Sequence, residues 1–89
     1  MASRTVAVRN KRGLHARASA KFVTLAAELD AEVEVEKDGT KVTGTSIMGL
    51  MMLGAAMGDT ITISAVGEGA DEAVERLVEL VEARFHEDA

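Results

Sequence analysis

His15 sits in the stretch Gly13-Leu14-His15-Ala16-Arg17, between a glycine-containing loop and the start of a helical pattern. A helix start presents unpaired amides and about half a positive charge, which suits an anion or a phosphoryl group. Imidazole is a nucleophile near neutral pH and has two chemically distinct nitrogens. Arg17 adds a planar, permanently charged donor within reach. Histidine is not a favoured helix cap, unlike Ser, Thr, Asp and Asn, so helix stability alone does not account for it. The plainer alternative is an ordinary surface or cap histidine. A metal site is disfavoured, because the only other histidine, His86, falls in what reads as a frayed tail, and one imidazole with scattered acids makes no ligand set. Nothing local pairs a nucleophile with a base and an orienter, so a hydrolase triad is disfavoured too. No metal and no cofactor are expected.

The segments that must position this histidine alternate between two periods. Thr5 to Arg9 has a strand's alternation, with Val6 and Val8 on one face. Asn10-Lys11-Arg12-Gly13 breaks it, and a helix is predicted over about residues 16 to 29, its apolar side formed by Ala18, Phe22, Leu25, Ala26 and Leu29. Glu32 to Glu36 alternates again, Asp38-Gly39 is a strong hairpin signal, and Lys41-Val42-Thr43 returns as the partner strand. Ser46 is a good cap for a short apolar helix over Ile47 to Leu53, weakened by Gly49 and closed by Gly54. Thr60 to Ala65 gives a fourth strand. A third helix starts at Asp71 and Glu72, carries Ala73, Val74, Leu77, Val78 and Val81 on one stripe, and runs to about residue 85 with Arg84 near its end. The order strand, helix, strand, strand, helix, strand, helix predicts an α+β fold, a four-stranded antiparallel sheet with three helices on one face.

Composition bounds the rest. The 89 residues suit one domain over 1–89, and with only two aromatics, Phe22 and Phe85, aliphatic and methionine side chains must fill its core. The absence of cysteine excludes disulfides and thiolate metal sites. No apolar run suggests a signal peptide or a membrane span, so a cytoplasmic location is expected. The net charge of -5 divides into +6 over residues 1–23 and -11 over residues 24–89. An acidic chain without Tyr or Trp is a poor nucleic-acid binder. A basic face around His15 would instead steer in a phosphorylated ligand or an acidic protein, unless those charges are merely solvated. Ser46 needs no explanation beyond its cap. Ile47, Met48, Met51 and Met52 exceed what one side of a short helix can bury, so some are expected to face out as an adaptable contact surface; the alternative is that all four belong to the core.

Gly13-Leu14-His15-Ala16-Arg17-Ala18-Ser19 resembles the active-site signature of the HPr family, the histidine-containing phosphocarriers of the bacterial phosphoenolpyruvate-dependent sugar phosphotransferase system (PTS). Ser46-Ile47-Met48-Gly49-Leu50-Met51 resembles the regulatory serine site of members that are substrates of HPr kinase/phosphorylase, and the likeness spans almost the whole chain. The resemblance implies an open-faced β-sandwich in a monomeric phosphocarrier rather than an enzyme. It implies that His15 takes a phosphoryl group on Nδ1 from phosphorylated enzyme I and passes it to the A domain of a sugar permease, enzyme II, with Arg17 assisting. Ser46 would be the regulatory phosphorylation site, and Ala16, Ile47, Met48, Met51 and Met52 would dock partners. Ala18 departs from the common pattern, where proline follows the arginine; its loss should cost rigidity rather than chemistry. Two rivals are the carrier of the nitrogen-related regulatory relay and a small regulatory α/β domain without covalent chemistry.

Overall fold

The computed structural model describes residues 1–87. Its elements follow the order β1 (Ala2–Ala7), α1 (Ala16–Ala27), β2 (Glu32–Lys37), β3 (Thr40–Thr43), α2 (Ile47–Met52), β4 (Thr60–Val66) and α3 (Ala70–Glu82), then a short 3-10 turn over Arg84–His86. The strands form one antiparallel sheet in the order β1-β4-β2-β3. Alternation explains its two faces. Val33 and Val35 of β2 and Ile61, Ile63 and Ala65 of β4 are buried towards the helices, and the register sets Val35 opposite Ile63 and Val6 opposite Ile61. The opposite face is polar, with the Thr5 and Thr62 hydroxyls 3.0 Å apart across the strands. Phe22 of α1, Leu77 of α3 and Leu50 of α2 complete a core in which each is fully buried.

Several boundaries differ from the sequence reading. β1 starts earlier and ends at Ala7 rather than Arg9. Val8 stays buried as its alternation requires, but its N–H donates to the Asp59 carbonyl at 2.8 Å and its own carbonyl accepts from Gly58 at 2.8 Å, so the turn before β4 takes over from the ladder. α1 stops two residues short, where the Leu29 N–H turns back to the Ala26 carbonyl at 3.1 Å. Gly49 weakens α2 for a packing reason: a Cβ there would lie 3.1 Å from Val42 Cβ, so glycine lets α2 lie against β3. The largest change is at the end of α3, which stops at Glu82. Arg84, Phe85 and His86 then take left-handed φ of 58°, 54° and 58°. This turn sends Phe85 into the core with no exposed surface, and its carbonyl accepts from Lys21 Nζ at 2.6 Å. Burial and that charged hydrogen bond offset a backbone conformation L-residues avoid. Arg84 is therefore an exposed turn residue and not a charge on the last turn of α3.

Candidate functional site

Gly13 sets the geometry of the loop before α1. Its φ is +63°, and an added Cβ would stand 2.2 Å from the Ala55 carbonyl oxygen, so only glycine fits. The same oxygen accepts from the Leu14 N–H at 3.0 Å, and Leu14 is buried, which pins the loop to the segment after α2. Asn10 closes the loop from its other end: its Nδ2 donates to the Gly13 carbonyl at 2.8 Å, and its carbonyl accepts from the Gly13 N–H at 3.1 Å. Beyond Leu14 the chain enters α1, and the buried Ser19 hydroxyl donates back to the Leu14 carbonyl at 3.2 Å.

His15 is the N-cap of α1, with extended backbone at φ -74° and ψ 179°. Its Nδ1 accepts from the Arg17 N–H at 3.3 Å, the long end of a hydrogen bond. Its Nε2 contacts Oε2 of Glu87, and since Nδ1 is an acceptor this pattern assigns the ring proton to Nε2. Glu87 is in turn held at Oε1 by Asn10 Nδ2 at 3.1 Å. Burial raises the Glu87 carboxyl pKa, but hydrogen bonds from His15 and Asn10, with the electrostatic attraction of the imidazole and the Lys21 ammonium, hold it below the ordinary glutamate range. The result is a fixed imidazole whose Nδ1 lone pair faces the first-turn amides of a helix, while a carboxylate backs its other nitrogen. An electrophile meeting Nδ1 meets a nucleophile already oriented, and the weak Arg17 amide bond is easily exchanged for one to an incoming anionic oxygen.

The surrounding cleft, of about 290 Å³, is lined by Arg12, His15, Arg17, Lys21, His86 and Glu87. The structure thus gathers His15 and Arg17 with two more of the bases from the first quarter of the chain. Arg4 goes elsewhere, pairing with Glu75 of α3. His86 is not in a frayed tail but in the ordered turn at the edge of this cleft. No group of three or more His, Cys, Asp or Glu among the described residues could hold a metal ion. Ser46, the N-cap of α2, is half-buried and its Oγ accepts from the Gly49 N–H at 2.9 Å. Ile47, Met48, Met51 and Met52 are all exposed, Met48 to 70% and Met52 to 80%, so the core alternative does not hold for them; α2 itself buries only Leu50. Ala16 is exposed as well.

Glu87 and Asn10 had no local signal, lying 72 and five positions from His15 in the chain. Phe85 carried the one usable hint, since a rare aromatic near the C-terminus must be buried and so pins the residues beside it. Met57, 58% exposed, is a further exposed apolar residue that was not singled out from the sequence.

A family profile described as the PTS HPr component phosphorylation site matches residues 2–83. The chain is 44% identical to the phosphocarrier protein NPr of Shewanella violacea, over 94% of this chain and 92% of that one. It is 42% identical to the phosphocarrier protein HPr of Cupriavidus necator, over 98% of each. The crystal structure of HPr-C-His from Thermoanaerobacter tengcongensis superposes with a TM-score of 0.95 at 43% identity, covering all of both chains.

Proposed function

This chain belongs to the HPr family of the phosphotransferase system, a family of phosphocarriers, and from that premise we propose that His15 carries the phosphoryl group as a covalent phosphohistidine. The observation that carries this reading is the fixed ring, with Nδ1 unprotonated at the start of α1 and Nε2–H held by Glu87. Nδ1 attacks the phosphorus of a phosphohistidine on enzyme I. A new N–P bond forms as the donor's N–P bond breaks, and the donor nitrogen leaves with its lone pair. The accepting ring gains positive charge because its Nε2 proton stays in place, and the Glu87 carboxylate stabilises that charge. The first-turn amides and Arg17 receive the phosphoryl oxygens, with Arg12 and Lys21 adding to the positive field of the cleft. The reverse sequence delivers the group to an enzyme II A domain, and no cofactor is needed.

Ser46 is the regulatory phosphorylation site in this reading. A phosphate there adds about -1.5 to -2 charges at a helix start, which accommodates them, so the effect falls on docking rather than folding. Ala16 and the exposed Ile47, Met48, Met51 and Met52 form the docking surface, in a cytoplasmic monomer of one domain. Among the described residues, no helix is long and apolar enough to cross a membrane. A second reading, the same carrier chemistry in the nitrogen-related relay, is supported by the 44% identity to the NPr of Shewanella violacea over 94% of this chain. Incubation with enzyme I and phosphoenolpyruvate is expected to add one acid-labile phosphate, absent in His15→Ala. An unlabelled wild-type chain with a competent enzyme I would overturn the reading, and a preference among enzyme I paralogues separates the two relays.

A further inference from the structure

A second cavity, of about 340 Å³, shares Arg12 and Glu87 with the His15 cleft and extends away from it among Arg9, Asn10, Lys11 and Arg84. Four cations thus surround one carboxylate, and that carboxylate is already engaged by His15 and Asn10. Among the described residues, Arg9, Lys11, Arg12 and Arg84 form no ion pair, whereas Arg4 pairs with Glu75 and Lys37 with Asp38. The chain as a whole carries fifteen acids to ten bases. Convergence on one concavity of four cations that have no ion pair among the described residues reverses the field of the molecule locally. Like charges gathered in this way repel one another until an anion joins them.

The walls narrow the chemistry of that anion. Guanidinium forks match phosphate oxygens, four positive charges match two phosphate groups, and the volume is that of a small-molecule site rather than a flat protein contact. Both aromatic side chains, Phe22 and Phe85, are fully buried, so a nucleotide base finds no ring to stack on. Asn10, which lines the cavity, is buried, and its Oδ1 has no hydrogen-bond partner among the described residues, leaving one acceptor for a hydroxyl donor. Exposed Met57 supplies an apolar wall. We propose that this cavity binds a doubly phosphorylated, sugar-sized metabolite, at a site separate from the phosphoryl-accepting nitrogen of His15.

The test is an amide NMR titration of the unphosphorylated full chain with glucose 1,6-bisphosphate, inorganic phosphate and glucose. The bisphosphate is expected to give saturable shifts at residues 9–12 and 84, with affinity at least about tenfold above that for inorganic phosphate, and glucose to give none. Arg9→Gln combined with Arg84→Gln is expected to weaken binding by about tenfold or more, while Lys41→Gln, an exposed substitution on β3 outside the cavity, binds as the parent does. Lys11→Gln, an exposed loop substitution, gives a smaller loss in the same direction and serves if the double variant does not fold. Absence of saturation, equal affinity for phosphate and bisphosphate, or unchanged binding in both the Arg9→Gln/Arg84→Gln double variant and Lys11→Gln would overturn the proposal. So would shifts centred on His15, Ala16 and Arg17. No phosphoryl transfer is involved, so failure here leaves the role of His15 untouched.

Discussion

Replacing Glu87 by glutamine removes a charge and little else, because the amide oxygen can still accept from Nε2 of His15. The native carboxylate is held in place by His15 and Asn10, and its side chain is only 16% exposed, so water replaces it poorly. Before transfer it accepts from a neutral ring; afterwards it faces a ring with added positive charge. Hydrogen bonds to charged groups contribute about 1.5–3 kcal/mol, against about 1 kcal/mol for neutral ones, so the carboxylate favours the phosphorylated form by roughly 0.5–2 kcal/mol. That corresponds to about a tenfold shift in the phosphotransfer equilibrium. The assay is the ratio of phosphorylated to free chain at fixed phosphoenolpyruvate and pyruvate, with enzyme I present in catalytic amount. Glu87→Gln is expected to lower that ratio about tenfold, and Glu87→Ala to lower it at least as far and also to blur the Nδ1/Nε2 tautomer preference seen by nitrogen NMR. If both variants sit within about twofold of the parent, the carboxylate does not stabilise the charged ring, and the chemical role given to it is wrong.

Three further outcomes follow from the same geometry. Gly13→Ala forces a Cβ against the Ala55 carbonyl at a positive φ, and should cost at least about 1–3 kcal/mol in urea unfolding, with loss of phosphorylation as the loop moves. Ser46→Ala removes the cap bond to Gly49, costing about 1 kcal/mol of stability, and should abolish acid-stable labelling by HPr kinase and ATP while leaving His15 labelling intact. The Glu87 carboxyl has its pKa lowered by folding, so its contribution is complete above the ordinary glutamate range and disappears as pH falls through the lowered value. Carbon NMR of its carboxyl should accordingly give a midpoint below that range, and a midpoint at or above it would show that the pairing with His15 does not persist in solution.

Much of this arrangement is local in origin and was legible as such. Alternation located all four strands, because one-sided burial of Val33, Val35, Ile61 and Ile63 leaves a period of two in the chain. The position of His15 at a helix start followed from the loop glycine and the change to a helical period after it. The C-terminal turn was not legible, since Arg84, Phe85 and His86 adopt a backbone that none of them prefers. Tertiary packing of Phe85 decides it, and periodicity in α3 gives no warning of where the helix gives way. Glu87 was invisible for the same reason: its place beside His15 depends on that turn. Exposure of Ile47, Met48, Met51 and Met52 on α2 could be only half anticipated, because a sequence shows that a short helix has too many apolar residues without showing which way they point.

The confinement of Arg12, Arg17 and Lys21 to one cleft around a single imidazole has a kinetic consequence. In the proposed relay, donor and acceptor both bring their reactive groups to the same nitrogen, so they cannot occupy the chain together, and each cycle includes the departure of one partner before the arrival of the next. Throughput is then capped by dissociation, and tight binding to either partner would stall the flow of phosphate. In such a relay the exposed methionines of α2 suit that demand, because side chains that pack adaptably rather than rigidly let the complex come apart, while the cations of the cleft hasten encounter.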